Sequence, residues 1–455
     1  MKQKEIAVAE KIAAEAAKFG GRVYYVGGFV RDSLLGIDTK DVDIEVHGIT
    51  PKKLVELLDL IGEHTEFGKS FGVYGLKGYE LDIALPRREI QNGIGHRAFD
   101  VEVDPFIGVG EAAQRRDFTV NAVMKDVLSG ELVDPTGGVR DLSERRLRVV
   151  CKNAFSEDPL RVLRAAQFAA RFGLIPTDET LKSCRETSIV GLPRERVEGE
   201  LFKALLKSEK PSVFFEFLKN CGKLNEYFPE LSALIGVEQD PLRHPEGDAW
   251  EHTMKVVDAA AGYRSGASDA FGFMLAAAFH DLGKSVCTER GKDGRIHEYE
   301  HETKGLRLVS SQLARITGNR RLCRYVEDLV KLHMQPGTAA AMRVKTKTTN
   351  RMFDEALDPE ALILLSKADH LGIGENTEEG YAESEAFLRS RLEHYRELMA
   401  EPFITSAELI DGGVIPGRGL SEALAFAHKL RLSELCRDSA LKQVLALKNR
   451  WNGER

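Results

Sequence analysis

The chain has 455 residues, 43% of them apolar and 30% charged, with a formal net charge of −7. That is the make-up of an ordinary globular protein with room for roughly three domains of ~150 residues. No apolar run approaches the ~18 residues of a membrane span, and a nucleic-acid partner would need a local basic surface, because the field of the whole molecule is acidic.

The N-terminal stretch MKQKEIAVAEKIAAEAAKFGG has the lysines of a signal peptide but no apolar core, since Glu5, Glu10 and Glu15 interrupt it. It reads as an amphipathic helix closed by Gly20-Gly21. Val23–Val46 (VYYVGGFVRDSLLGIDTKDVDIEV) reads as strand, Gly-Gly turn, short helix, loop and strand. In Asp41-Val42-Asp43-Ile44-Glu45-Val46 the period of two puts Asp41 and Asp43 on one face and Val42 and Ile44 on the other. Neighbouring carboxylates on a rigid strand repel unless a cation lies between them, and a hard cation such as Mg²⁺ takes one or two carboxylates plus substrate phosphates. The turn Gly27-Gly28 lets backbone N–H groups approach an anion, so the stretch points to metal-dependent nucleotidyl transfer.

A helix is expected over Pro51–Leu60 and strands near Phe71–Leu76, Glu80–Leu85 and Ala98–Val103, with a glycine-containing loop at Gln91–His96. Glu80 and Asp82 share a strand face. If that strand neighbours the Asp41 strand, one of them could act as base for an attacking hydroxyl or complete a metal shell. Arg115-Arg116-Asp117 is a basic pair followed by a capping signal, and paired guanidinium forks suit a triphosphate. The first 140 residues therefore form a mixed-sheet head.

From about Asp141 strand signals nearly vanish. Leu160–Phe172, Val197–Lys207 and Ser212–Asn220 are apolar at helical spacing. Asp158 and Arg161, three apart at the start of the first of these, are expected on one helix face. A carboxylate accepts from an exocyclic amine and a guanidinium donates to a bare ring nitrogen. Such a pair would accept cytosine and adenine and reject guanine and uracil without a template, each good match discriminating by ~1–3 kcal/mol.

GGFVRDSLLG, DVDIE, RRDFTVNA and EDPLRVLRAAQFAARFG, in that order and spacing, resemble the class II tRNA nucleotidyltransferases, the CCA-adding enzymes, over residues ~21 to ~230. The resemblance implies an α+β chain: a polymerase-β-like head, then an all-α neck, body and tail. It implies that Asp41 and Asp43 hold Mg²⁺, with Asp82 the third catalytic candidate. Asp158 and Arg161 would read the incoming CTP or ATP, with Arg164 beside them, and Gly27, Gly28, Arg31 and Arg116 would contact the nucleotide. Glu89–Asp104 would occupy the place of the family's flexible loop, favouring full CCA addition to tRNA.

The turn-rich Asp240–Asp248 reads as a domain boundary, and helices resume at Trp250. His252, His280-Asp281 and Asp369 stand in an order that resembles the HD phosphohydrolase superfamily, whose four metal ligands run His, His-Asp, Asp. Two adjacent polar residues closing the apolar helix AAAFHD are better explained by a metal than by packing, and the ligand set suits Mn²⁺, Ni²⁺, Fe²⁺ or Zn²⁺. His301 and His333 are candidates for a second ion but read more simply as surface or core histidines. Some CCA-adding enzymes carry such a domain, which implies hydrolysis of phosphomonoesters or 2′,3′-cyclic phosphates at damaged tRNA ends.

Leu371–Gly380 is a second break and Tyr381–Glu401 a long charged helix. Lys429–Arg450 carries a local basic excess suited to RNA phosphates. The expected segments are 1–140 (head), 141–240 (neck and body), 241–370 (HD) and 371–455 (tail). The six cysteines are scattered with no C-x-x-C pair, which suits a cytoplasmic protein. The expected reaction is in-line attack of the tRNA 3′-hydroxyl on the α-phosphate of CTP or ATP. A-only, CC-only or poly(A) synthesis, an HD hydrolase with an RNA-docking head, and a non-catalytic RNA-binding module stay open, as does the oligomeric state.

Overall fold

The computed structural model describes residues 2–38, 41–67, 72–91, 99–292 and 294–453. The chain divides into two compact units, Met1–Ala204 with Val213–Tyr227, and Leu205–Ser212 with Phe228–Arg455.

The first unit is built on a seven-stranded mixed sheet. Its strands are β1 (Arg22–Tyr25), β2 (Val42–His47), β3 (His64–Phe67), β4 (Val73–Leu76), β5 (Leu81–Ala84), β8 (Met124–Asp126) and β9 (Leu132–Val133). The order is β3-β4-β5-β2-β1-β8-β9, and β6 (Arg87–Gln91) and β7 (Phe99–Val103) pair apart as a hairpin. Central β2 runs antiparallel to β1 and parallel to β5. Its apolar face, Val42, Ile44 and Val46, is buried with Ile12 of the Lys2–Ala17 helix and with Leu54, Leu57 and Leu58 of the Pro51–Asp59 helix. Three alternating apolar residues on a central strand thus turn the opposite face, with its acids, away from that core.

The reading in chain order missed β3, β6, β8 and β9. In β3, His64-Thr-Glu-Phe67, an edge strand has only one neighbour and needs no apolar alternation to be held. The β6–β7 hairpin carries both flanks of the Glu89–Asp104 segment, whose part 92–98 lies outside the described residues.

Beyond the sheet the Leu160–Phe172 helix is buried along most of its length, and Phe168 packs on Phe118 at 5.4 Å between ring centroids. Gly173 closes it in the left-handed conformation, φ 62°. The helix begins at Leu160, with Pro159 as its N-cap and Asp158 in extended conformation before it. The expectation that Asp158 and Arg161 share a helix face is thereby corrected: proline fixes the first turn and leaves Asp158 outside it.

The second unit is helical, and side chains of Asp248, Asp269, Asn319 and Asp358 cap the four helices that form its centre. Every residue of the Ala270–Phe279 helix but Ala270 is buried, which delivers His280-Asp281 into the interior. One departure from an all-α reading is a small hairpin, Glu289–Arg290 paired with Ile296–His297. The last helices gather around Leu409, Val414, Ala427, Val444 and Trp451. Among the described residues no helix is long and apolar enough to cross a membrane.

Candidate active sites

The first site lies on the polar face of β2. Asp43 stands in register with Asp82 on β5, and Asp41 precedes β2 on the same face. Asp41 and Asp82 are exposed and Asp43 half-buried. Burial, then the charge of Asp82, lifts the Asp43 carboxyl to about 6, with Asp41 adding to it and Arg116 opposing it. A group of acids that raises a member's proton affinity this far is one a divalent cation relieves, so the residues present fit a metal. Glu80, the other candidate for third acid, is exposed and lies outside β5.

Gly27 closes the site with φ 64° and ψ −131°, a conformation L side chains avoid. A Cβ there would lie 3.4 Å from Arg116 Nη1 and 3.6 Å from Asp43 Oδ2, so the bare backbone faces both groups. Gly28 begins the following helix, and a Cβ on it would meet Arg31 Nη2 at 3.5 Å.

The arginines are less available than their sequence suggests. Arg31 is buried. It donates to Asp32 and Asn121 at 2.7 Å each, and its guanidinium lies 4.3 Å from the Phe172 ring centroid. It therefore ties the Gly-Gly turn to the Leu160–Phe172 helix. Arg115 and Arg116 both donate to Glu45 Oε2, at 2.5 and 3.2 Å, and His47 lies 3.0 Å from Oε1. Burial alone would raise the Glu45 carboxyl, but His47 and the two arginines hold it at about 2. Glu45 follows Asp41 and Asp43 on the strand's two-residue period, a signal already visible in the sequence.

Around the pair expected to read the base, Arg161 donates through Nη2 to Arg115 O at 2.8 Å and is 9% exposed. Asp158 accepts from Leu160 N at 3.2 Å and from Arg196 at 2.8 Å. Arg164 is held by Asp117, 2.7 Å from Nε to Oδ2, and Asp117 also accepts from Asn121. Arg196 carries no motif and was not foreseen, and Asn121, though inside RRDFTVNA, had been given no role of its own.

The second site is wholly within the second unit. His252 Nε2 lies 3.0 Å from Asp369 Oδ1 and 3.7 Å from Asp281 Oδ2, and His280 Nε2 lies 3.2 Å from Asp281 Oδ2. His301 Nε2 is 3.2 Å and His333 Nε2 3.9 Å from the other oxygen, Oδ1. His252, His280 and Asp369 form one group able to hold an ion, and Asp281, His301 and His333 a second. His301 and His333 are both buried, 5% and 1% exposed, so neither is a surface histidine, and both approach Asp281.

The rings are fixed from behind. Nδ1 of His280, His301 and His333 donates to the carbonyls of Ala277, Glu298 and Val330 at 2.9, 2.9 and 2.6 Å. A neutral ring so held presents Nε2 inward as a lone pair, although at His301 the bond to Asp281 outweighs burial and favours the protonated ring. His280 Nε2 has no hydrogen-bond partner, and His301 and His333 bring their Nε2 atoms within 3.2 Å of each other. Two neutral rings would oppose lone pairs there, a conflict a cation removes. Burial would lower His252, but bonds to Asp369 and Glu246 raise it to about 9. Burial and the nearby His280 and His301 push His333 down to about 3. Lys284, buried, sits 2.8 Å from Asp281 Oδ2.

Glu246 was missed because His244-Pro245-Glu246-Gly247 reads as a boundary turn. Its side chain is fully buried and lies 2.8 Å from Nδ1 of both His244 and His252, and it accepts from Gly374 N at 2.9 Å. Gly283 and Gly305 bring two backbones together: a Cβ on Gly283 would lie 2.0 Å from His301 O, and one on Gly305 2.7 Å from Gly283 N.

Residues 23–148 match the Poly A polymerase head domain family. The multifunctional CCA protein of Stenotrophomonas maltophilia (strain K279a) is 36% identical over 424 residues, 90% of this chain and 98% of that protein. That of Actinobacillus pleuropneumoniae serotype 5b (strain L20) is 40% identical over 293 residues, 63% of this chain and 69% of its own length. The Thermotoga maritima CCA-adding enzyme complexed with tRNA has a similar structure, TM-score 0.63 at 21% identity over 97% of this chain and 94% of that one. A CCA-adding enzyme complexed with ATP gives 0.65 at 21% identity over 98% and 95%. Identities this low speak for the fold.

Proposed function

Given that the chain belongs to the family of the multifunctional CCA proteins, the bacterial CCA-adding enzymes, we propose how its residues divide the work. The protein adds CCA to the 3′ end of tRNA from CTP and ATP without a nucleic-acid template. The observation that carries this is the near full-length match to one such relative, 98% of its length.

Asp41, Asp43 and Asp82 would hold Mg²⁺, which when bound supplies charge neutralisation for the triphosphate and a lowered pKa for the tRNA hydroxyl. The remaining steps belong to the chain. The backbone at Gly27-Gly28 and the Arg116 guanidinium receive the triphosphate. Glu45 balances Arg115 and Arg116 and fixes their height above the strand. Asp158, steadied by Arg196, and Arg161, steadied by the Arg115 carbonyl, face the base edge. The 3′-oxygen bonds to the α-phosphorus, the bond from that phosphorus to the bridging oxygen breaks, and pyrophosphate leaves. In this reading 1–140 is the head, 141–240 the neck and body, 241–370 the HD segment and 371–455 a tRNA-gripping tail.

The test is stepwise extension. tRNA transcripts lacking CCA, CA or the final A are each given CTP, ATP or both. Addition of two C and one A, stopping there, supports the assignment; A-only, CC-only or continued A addition overturns it.

A second activity rests on the buried imidazole–carboxylate cluster. We infer that it holds one or two divalent transition-metal ions through His252, His280, Asp281 and Asp369, with His301 and His333 completing the second place. Bound metal would supply a water nucleophile of lowered pKa. That water adds to a phosphate ester. A monoester gives alcohol and inorganic phosphate, and a 2′,3′-cyclic phosphate opens to a monoester. Metal-dependent release of phosphate from nucleotide monoesters, abolished by Asp281→Asn while CCA addition persists, is the expected result. Absence of hydrolysis with Mn²⁺, Ni²⁺ and Co²⁺ each supplied would sink the reading.

A further inference from the structure

A small cavity of about 240 Å³ in the first unit is lined by Thr136, Gly137, Arg140, Asp141, Arg146 and Arg148. Neither activity proposed above uses these residues. At ~30 Å³ of liquid per water, the cavity has room for a phosphate group with part of its hydration shell.

The segment folds so that these side chains converge. Asp134 accepts from Gly138 N and Val139 N at 2.8 and 2.9 Å and so starts the Gly138–Ser143 helix. A Cβ on Gly138 would lie 2.1 Å from Thr119 O, so this turn is pressed against its neighbour's backbone and fixed there. After the helix, Arg145 turns the chain at φ 54°, an uncommon conformation for a residue with a side chain. Its own guanidinium is drawn off to Phe172 O at 2.9 Å. Arg146-Leu147 then pairs parallel with Ile175-Pro176. Leu147 is fully buried, so the strand period turns Arg146 and Arg148 to the opposite face. Arg140 reaches the same cavity from the helix.

The charges there are only partly balanced. Arg148 is taken by Asp141, 3.1 Å from Nε to Oδ2, and buried Asp141 also accepts from Thr119 Oγ1 at 2.7 Å. Arg140 and Arg146 share Glu144, each through Nε, at 2.8 and 3.0 Å. Among the described residues no acceptor is bonded to the Nη groups of either arginine. Thr136 Oγ1 is buried without a hydrogen-bond partner, and a buried hydroxyl left that way is costly. A solvated arginine cluster would explain the charge. It would not explain a concave wall with an unpartnered hydroxyl set among guanidinium forks, whose geometry matches an oxyanion.

We propose that this cavity is a binding site for a phosphate group, held by the Nη groups of Arg140 and Arg146 and by the Thr136 hydroxyl. Arg148 adds positive charge while it keeps Asp141. The chemistry is the same for a free inorganic anion and for an internucleotide phosphate of tRNA. CCA addition releases the one, as pyrophosphate, and brings the other. The site itself stands on the residues of this segment and not on either activity.

The test uses the full-length protein in excess chelator, so that no phosphate is held through a metal elsewhere. One arm is calorimetry with pyrophosphate at constant ionic strength. The other is affinity for a tRNA transcript lacking CCA, measured across a salt series. Wild type is compared with the double variant Arg140→Ala/Arg146→Ala and, separately, with Thr136→Val. Arg148 is left in place, because its loss would strand buried Asp141. The double variant is expected to weaken binding on the order of tenfold or more in at least one arm, and Thr136→Val to weaken the same arm by a smaller factor. A loss in the pyrophosphate arm alone names the free anion as ligand. A loss in the tRNA arm, with a fall of about one in the slope of log affinity against log salt, names an RNA phosphate. A loss confined to the arginine variant shows diffuse surface charge and overturns the site, as does wild-type behaviour of both variants in both arms. If the double variant fails to fold, Thr136→Val decides alone: weaker binding in either arm supports the site, and unchanged binding in both overturns it.

Discussion

Asp43 and Asp82 are register partners on parallel neighbouring strands, and with Asp41 they crowd negative charge onto one face. The Asp43 carboxyl at about 6 against an ordinary 3.8 means the metal-free fold holds its proton more tightly than the unfolded chain does. That contribution is whole below about pH 4 and is lost as pH rises through 6. Asp43→Asn should therefore be more stable than metal-free wild type at pH 7.5, by ~1–3 kcal/mol at 1.36 kcal/mol per unit, while losing CCA addition. Mg²⁺ should raise the wild-type melting midpoint at pH 7.5, far less at pH 5, and not at all in the variant. Thermal melts with and without Mg²⁺ at the two pH values check all three.

Glu45 behaves in the opposite sense. Its carboxyl sits at about 2 against 4.5, so the stability it contributes is present above about pH 4.5 and is lost as pH falls toward 2. Glu45→Gln leaves Arg115 and Arg116 without their shared countercharge and should cost ~3–5 kcal/mol. Urea titrations at pH 7 measure the loss, and an acid titration should show the variant's stability falling less steeply below pH 4.5 than wild type's.

On the proposed reading of Asp158 as a base-reading group, Arg196 bears on base choice through its bond to that carboxylate. Arg196→Ala should lower kcat/KM for both CTP and ATP by ~5- to 50-fold and raise misincorporation of G and U, without changing the melting midpoint by more than ~2 °C. Asp158→Ala should do the same more severely. Single-nucleotide extension with each of the four triphosphates reads the outcome.

Glu246 holds His252 at Nδ1, opposite the nitrogen that faces Asp369. Glu246→Gln should weaken metal binding ~10- to 100-fold and leave CCA addition at the wild-type rate. His301→Ala should lower the stoichiometry from two ions to one. Metal content by mass spectrometry after dialysis against graded chelator checks both.

The contrast between Asp43 and Glu45 explains how far the sequence reaches. Strand period and the Asp-x-Asp spacing place acids on a face, and apolar alternation places the face over the core; both are local and were legible. Which arginine meets which acid is not local. Arg115 lies 70 residues from Glu45, and only the pairing of β2 at the sheet's centre sets them together. Asp158 shows a local error, since it was expected on one helix face with Arg161, while Pro159 caps the helix and leaves Asp158 extended before it. Glu246 hid in a turn because, apart from His244 two positions before it, its partners His252 and Gly374 are six and 128 positions away. His301 and His333 looked ordinary singly and become informative only beside Asp281.

The close approach of Gly283 to the helix that follows Glu300 sets a tolerance of hydrogen-atom size. Peptide groups, not side chains, gauge the distance between Asp281 and His301, so no compensating repacking elsewhere can retune it. A single added methyl at either Gly283 or Gly305 would wedge these two segments apart and carry His301 away from the aspartate it now meets.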